Sequence, residues 1–171
     1  MSQIQPVNLT RSITNGAPLS SPLAPHIQPQ YYAAIVAATF IGNSKNGTVT
    51  TNIVELPAPN STVAGYAAYD NGVLARAVFI NSKTWLNGTT GSRGIVQLDF
   101  PASQNGTWPS NMQIRRLGIG YADDTSGLTF AGQSYETSTA LPYGDDTCTT
   151  VKVSDGLSLN DTEAVVLTFL Y

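Results

Sequence analysis

The sequence predicts a mainly β protein, a two-sheet antiparallel β-sandwich of about eight strands preceded by one apolar α-helix. After Gly42, short apolar runs with a period of two alternate with turns rich in Gly, Asn and Asp. Before Gly42 lies one Ala-rich stretch without that alternation. Charged residues make up only 11% of the 171 residues, well below the roughly one quarter of typical soluble domains. This balance is typical of an extracellular β protein.

The helix is predicted within HIQPQYYAAIVAATFIG, residues 26 to 42. Pro29 suits the first turn of a helix, where its missing N–H costs nothing. Gly42 supplies a C-terminal stop. Tyr31–Ile41 is apolar on nearly every side, and a helix of that kind is normally buried all round.

The strands follow from alternation and turn signals. Asn71-Gly72 between two apolar runs indicates a hairpin. In Val73–Asn81 both alternating sets are apolar, which predicts a central strand with Leu74, Val78 and Ile80 on one face. The predicted strands are Val49–Leu56, Thr62–Tyr69, Val73–Asn81, Gly94–Phe100, Met112–Ile119, Leu128–Ala131, Thr149–Val153 and Ala164–Leu170.

Charge and cysteine content exclude several classes of function. The net charge of −3 argues against a nucleic-acid partner, and no apolar run is long enough to cross a membrane. Cys148 is the single cysteine and His26 the single histidine, so neither an internal disulfide nor a usual zinc site is expected. We expect no metal and no cofactor.

Six Asn-x-Ser/Thr sequons point to a secreted protein, since such asparagines accept N-linked glycans. The N-terminus has neither the basic nor the apolar region of a signal peptide, so secretion is expected for a longer parent protein. Chance enrichment in a chain rich in Asn and Thr is the alternative. The sequon asparagines are Asn8, Asn46, Asn60, Asn87, Asn105 and Asn160.

The chain lacks a visible catalytic constellation. Retaining glycosidases need two carboxylates about 5 Å apart, whereas Glu55, Glu136 and Glu163 are interpreted as solvated charges at strand ends. The repeated Asp pairs in Tyr121–Thr125 and Tyr143–Thr147 are interpreted as turn formers rather than calcium ligands. We therefore predict no catalytic, cofactor-binding or metal-binding residue.

Two tryptophans leave sugar binding open. Trp85 and Trp108 both lie in turn-like regions near sequons. An exposed indole can stack on the C–H face of a sugar, although tryptophans in sandwich loops more often cover the edge of a core.

Several segments resemble one known family. PVNLTRSITNGAPLSSPLAPHIQPQYYAAIVAATFIG is similar to the end of the catalytic barrel in fungal β-glucuronidases of glycoside hydrolase family 79, relatives of heparanase. Ile53–Leu56 resembles the start of that family's C-terminal β domain. The resemblance runs from about Pro6 to Tyr171, and its most specific pieces are His26–Tyr32, Tyr66–Asn81 and Thr125–Tyr135.

The resemblance implies a non-catalytic accessory domain. Family members are retaining hydrolases in which a (β/α)₈ barrel carries two catalytic glutamates and precedes a β-sandwich. All the segments matched here follow the strands that would carry those glutamates. The implied organisation is an irregular Pro-rich connection at 1–27, the last barrel helix at 28–42 and a β-sandwich at 47–171.

Two functions remain open at this point. The first is bracing of a catalytic barrel, in cis or in trans, within a secreted β-glucuronidase-like enzyme. The second is a stand-alone module that binds polysaccharide or assembles with another chain. Because a barrel helix wedged beside a sandwich needs little polar surface, Tyr31–Ile41 should pack one side on the sandwich. Its other side should then form an apolar patch.

Overall fold

The computed structural model describes residues 27–42, 48–100 and 108–171. These residues form one α-helix, one short 3-10 helix at Val153–Asp155 and nine strands. The elements are α1 (Pro29–Ile41), β1 (Thr51–Leu56), β2 (Val63–Asp70), β3 (Val73–Asn81), β4 (Ile95–Leu98), β5 (Asn111–Gly118), β6 (Thr129–Phe130), β7 (Thr149–Lys152), β8 (Leu157–Asn160) and β9 (Glu163–Leu170). The predicted class, two antiparallel sheets preceded by one helix, is confirmed.

Seven strands form a large sheet in the order β1-β2-β3-β9-β5-β6, with β7 also paired to β5. β4 and β8 form a separate small sheet. The β2–β3 connection is the hairpin that the sequence predicts. Asn71 has φ 51° and Gly72 φ 85°, as a two-residue turn between twisted strands requires.

The large sheet separates two hydrophobic cores. One core lies between it and the small sheet and includes Phe79, Met112 and Leu167. The other lies between it and α1 and includes Tyr32, Val78 and Val166. The described part of the chain is therefore a three-layer structure, and α1 shares a core with the sheet.

Strand β3 departs from the predicted alternation. Ala68 pairs with Arg76 while Tyr69 pairs with Leu74, so Ala75 is an extra residue that forms a β-bulge. The bulge turns Leu74 to the small-sheet side, where it packs on that core. The prediction that Leu74 shares a face with Val78 and Ile80 is therefore wrong.

Strand β8 is absent from the sequence-based prediction. Leu157 and Leu159 are buried and alternate with exposed Ser158, but the run is only four residues long and follows the turn at Ser154–Gly156. It pairs with β4 along its full length, with Ile95 opposite Asn160 and Leu98 opposite Leu157. In the described residues no helix is both long and apolar enough for a membrane span.

Candidate functional site

The inner side of α1 is anchored in the β domain by large side chains. Tyr32, Val36 and Phe40 lie one turn apart and are all buried. Burial of three such side chains contributes about 5–9 kcal/mol of gross stabilisation. That is comparable with the net stability of a whole domain, about 5–15 kcal/mol, so α1 is part of this folding unit.

Two tyrosines connect α1 to the segment that follows β5. The Tyr32 hydroxyl donates to the Leu128 carbonyl at 2.6 Å and accepts from the Tyr135 amide at 2.9 Å. Its ring also meets the Tyr135 ring edge-on, with centroids 5.7 Å apart. The neighbouring Tyr31 hydroxyl donates to the Ala140 carbonyl at 3.1 Å. The helix thus positions a loop about a hundred residues away in sequence.

Arg76 secures the other end of α1. Its guanidinium donates to the Phe40 carbonyl at 2.7 Å and to the Ile41 carbonyl at 3.0 Å. It also pairs with both carboxylate oxygens of Asp70, each at 2.8 Å. A Cβ on Gly42 would lie 2.7 Å from the guanidinium carbon. Glycine at this helix end therefore makes room for the arginine as well as supplying the positive φ.

The Arg76–Asp70 pair also lowers the pKa of Asp70. The hydrogen bond from Arg76 is the main influence on Asp70 and holds the pKa of that carboxyl below its usual value, against the opposing effect of burial. The pKa of Asp70 is lower in the folded state than in the unfolded state. The ion pair with Arg76 therefore stabilises the fold fully at pH values above the unfolded-state pKa. It is lost as the pH falls through the folded-state pKa.

None of the described residues covers the outer side of α1. Ala33, Ala37 and Ala38 are exposed, and Ile41 is 52% exposed. On the same side of the large sheet, Ile53 pairs in register with Ala68, which belongs to the core beneath the helix. Ile53 is 50% exposed. The predicted arrangement is confirmed, with one side packed and the other apolar and open. We call these five residues the helix face.

A second apolar feature lies on the opposite side of the large sheet. It is an open groove of about 650 Å³ between β1–β3 and the β4 end of the small sheet. Its lining is mainly apolar, with Gln97 and Asp99 among the polar exceptions. Five aromatic residues contribute, namely Tyr69, Phe79, Phe100, Trp108 and Phe169. A concave aromatic surface with a few polar groups is the usual form of a small-molecule site.

The two candidate sugar-stacking residues lie at opposite ends of the large sheet. Trp108 is 38% exposed, lines the groove and closely precedes β5. Trp85 is half-buried, and its backbone N–H bonds to the Thr162 hydroxyl beside the start of β9. The N-terminal end of β5 pairs with the C-terminal end of β9. Only Trp108 therefore belongs to the groove.

Each glutamate is placed differently. Glu55 is exposed on β1, as expected. Glu136 accepts from the amides of Gly127 and Leu128 at 3.0 and 3.1 Å, so it braces a loop. The interpretation of Glu163 as a solvated charge is wrong. Its side chain is 7% exposed and accepts from Arg116 at 3.0 Å, because Arg116 and Asn160 cover the start of the last strand.

The aspartate pairs serve turns and ion pairs. Asp124 accepts from the amides of Gly120 and Tyr121 at 3.0 and 2.8 Å. Asp146 pairs with Arg115 at 3.0 Å. The described ranges contain no cluster of three or more potential metal ligands. The contacts of Asp124 agree with its interpretation as a turn former, whereas Asp146 also forms an ion pair with a distant residue.

The remaining candidates are asparagines, a cysteine and a histidine. Asn60 and Asn87 are exposed, whereas Asn160 is half-buried at the end of β8. Cys148 is a free, half-buried thiol. Four further predicted residues lie outside the described part of the chain, namely Asn8, His26, Asn46 and Asn105.

Contacts on which the fold depends were missed by the sequence analysis. Tyr32 and Arg76 each join parts of the chain that are distant in sequence, and nothing in the local pattern around either residue signals its partner. The buried polar group of Asn81, Asp161 and Glu163 was missed for the same reason. The Asn-Asp-Thr sequence at 160–162 indicates a turn. It does not indicate that the Asp161 carboxylate is buried.

Comparison with known proteins identifies the family of this chain. The family model described as glycosyl hydrolase family 79 C-terminal beta domain matches residues 65–166, more than half of the sequence. The structure is similar to that of a 4-O-α-L-rhamnosyl-β-D-glucuronidase from Fusarium oxysporum in complex with Rha-GlcA. The two share 25% identity with a TM-score of 0.56.

The match to the Fusarium enzyme covers 68% of this chain and 26% of that one, so this chain spans about a quarter of its relative. No match was found among proteins with curated descriptions. The family match begins within β2 and ends within β9, and it contains all the strands between them. The chain therefore belongs to the C-terminal β domain family of the family 79 glycosyl hydrolases.

Proposed function

We propose that the chain is a non-catalytic accessory domain of a secreted β-glucuronidase-like glycoside hydrolase, and that its helix face packs against the catalytic barrel. One observation carries the proposal. Helix α1 is built into the β domain on one side, through Tyr32, Val36 and Phe40, and offers an open apolar surface on the other. Exposed apolar residues gathered on one side of a protein commonly mark an interaction site.

The composition of the helix face suits a protein partner. Along α1 its exposed side chains are mainly alanines, which allow close approach by another helix or sheet layer. Ile41 and Ile53 add larger apolar groups at its margin. Three quarters of the Fusarium relative lies outside the matched region. A domain in that remaining part of the relative is the kind of partner that we propose for the helix face.

The engagement of the acidic residues supports a non-catalytic role. Glu163 is held by Arg116 and by the Asn160 amide at 2.7 Å, and Glu136 is held by two backbone N–H groups. Both carboxylates are thus occupied by contacts within the domain itself. We infer that these residues support the fold rather than hydrolysis.

Alanine-to-glutamate variants separate the helix face from the rest of the surface. Ala37→Glu places a charge in the middle of the helix face, while Ala58→Glu places the same charge in the lining of the groove. We expect co-expression of this chain with the catalytic barrel of a family 79 β-glucuronidase to yield a soluble complex. Ala37→Glu should reduce the yield of that complex at least tenfold, because burying an unpaired carboxylate is costly.

The control variant makes this experiment decisive. Ala58→Glu should leave the yield of complex within about twofold of that of the original chain. Equal loss in both variants, or a full yield with Ala37→Glu, would show that the helix face does not hold the barrel. Thermal melting of each variant alone, compared with the original chain, separates loss of binding from loss of folding.

A second candidate function rests on the groove. Trp108 and Phe100 present aromatic surface beside Gln97 and Asp99, a combination that can stack on a sugar and bond to its hydroxyl groups. Titration calorimetry with a neutral oligosaccharide tests it, since the acidic chain disfavours uronic acids. Binding that is lost in Trp108→Ala but kept in Trp85→Ala would support this function, and absence of heat with any sugar tested would exclude it.

A further inference from the structure

We propose that Asn60 and Asn87 carry N-linked glycans and that Asn160, a sequon of the same form, does not. In this modification the side-chain nitrogen bonds to the anomeric carbon of an oligosaccharide carried on a lipid diphosphate. The bond from that carbon to the diphosphate breaks, the diphosphate leaves with the electron pair, and the amide gives up one proton to a base of the transferase. The inference rests on the secretion included in the proposed function.

Asn60 presents its amide nitrogen to solvent. Its side-chain oxygen accepts from the Thr62 amide at 2.9 Å, the Thr62 hydroxyl at 2.8 Å and the Val63 amide at 3.1 Å. The nitrogen of the same side chain makes no hydrogen bond within the described residues, and Asn60 is exposed. The turn is therefore held through the oxygen, and a sugar on the nitrogen breaks none of these contacts.

Asn87 also has an exposed side chain. It lies in a turn closed by the Thr89 amide, which donates to the Leu86 carbonyl at 3.1 Å. The backbone amide of Asn87 donates to Asp123 at 3.0 Å, whereas its side chain bonds to none of the described residues. The residue is exposed, and a Cβ on the adjacent Gly88 would meet nothing within 4 Å. This open space accommodates a glycan.

Asn160 is part of a buried polar arrangement. Its side-chain nitrogen donates to Glu163 at 3.1 Å, and the same carboxylate oxygen accepts from the backbone amide of Asn160. The neighbouring Asp161 is only 3% exposed. The Thr162 hydroxyl of this sequon donates to the Lys83 carbonyl at 3.0 Å and accepts from the Trp85 amide at 2.8 Å. Both polar side chains of this sequon therefore serve the fold.

All three asparagines lie in Asn-x-Thr sequons. They differ in how their side chains are packed in the folded domain. A sugar on the Asn160 nitrogen replaces one of its two hydrogens and adds bulk beside the bond to the Glu163 carboxylate, at a half-buried position. That carboxylate also pairs with Arg116, so its displacement leaves a buried charge without its partner, which is strongly destabilising. Chains glycosylated at Asn160 are therefore expected to be lost before secretion.

The test uses the whole chain behind a cleavable secretory leader in a yeast host. Supplying the leader separates this inference from the question of natural secretion. The secreted protein is treated with an amidase that converts each glycosylated Asn to Asp in ¹⁸O-water, and its peptides are mapped by mass spectrometry. We expect label at Asn60 and Asn87 in most molecules, and label at Asn160 in fewer than about one molecule in ten.

Aspartate variants supply the matched controls. Asn60→Asp keeps the oxygen that holds the turn and removes the acceptor nitrogen, so the mass should fall by one glycan while the melting temperature changes little. Asn87→Asp should likewise lower the mass by one glycan. Ser61→Ala, which keeps the Asn60 sequon, should not remove any glycan. Label at Asn160 in folded secreted protein, or its absence from Asn60 or Asn87, would overturn the inference.

Discussion

Replacement of Tyr32 by phenylalanine is expected to lower the free energy of unfolding by about 2–4 kcal/mol, although it removes a single oxygen atom. The hydroxyl satisfies two backbone groups at once, the carbonyl of Leu128 and the amide of Tyr135. Tyr32 is only 1% exposed, so water does not replace the lost partner. Denaturant unfolding followed by tyrosine fluorescence or circular dichroism measures the change.

Tyr31→Phe is the matched control for that prediction. Tyr31 is half-buried, and its hydroxyl makes one bond, to Ala140 at 3.1 Å. Its loss is expected to cost only about 0.5–1.5 kcal/mol. Equal effects of the two substitutions, or a Tyr32→Phe variant as stable as the original chain, would contradict the view that the buried Tyr32 hydroxyl stabilises the docking of α1 more than the Tyr31 hydroxyl does.

Replacement of Arg76 by methionine is expected to lower the free energy of unfolding by about 2–4 kcal/mol. Methionine retains the apolar stem, so the change isolates the guanidinium. That group bonds to Asp70 and to the carbonyls of Phe40 and Ile41, and its side chain is only 16% exposed. Removing it leaves a partly buried carboxylate and the end of α1 without their partner.

Arg115→Met serves as the control for the arginine prediction. Arg115 also forms an ion pair, with Asp146 at 3.0 Å, but the carboxylate is 40% exposed. An exposed pair is worth about 0–1 kcal/mol. A double-mutant cycle with Asp70→Asn then measures how much of the Arg76 effect comes from the pair. A cycle that accounts for the whole effect would leave no role for the bonds to α1.

Much of the fold can be predicted from the sequence because its signals are local. The Asn71-Gly72 turn, the period of two in β2 and β9, and the Pro29-to-Gly42 bounds of α1 all depend on neighbours in the chain. Prediction of the fold from the sequence fails where the local structure depends on residues that are distant in the chain. The bulge at Ala75 depends on the pairing of β2 with β3, and β8 is too short to be recognised without β4.

The candidate surfaces were predicted less completely. The open side of α1 follows from an Ala-rich helix beside a sheet, so its existence could be anticipated. The groove could not, because its aromatic lining comes from strands and loops far apart in sequence. The placement of Glu163 failed for the same physical reason. A carboxylate at a strand end is exposed only if nothing covers that end, and here Arg116 and Asn160 do.

We propose that the chain supports a hydrolase without itself hydrolysing a substrate. This proposal is tested most directly by incubating the purified 171-residue protein with 4-nitrophenyl β-D-glucuronide and measuring the release of nitrophenol. We expect a rate equal to that of buffer, unchanged in Glu55→Gln and Glu136→Gln. Turnover above that of buffer that disappears in either variant would contradict the account, because it would place a catalytic carboxylate within this domain.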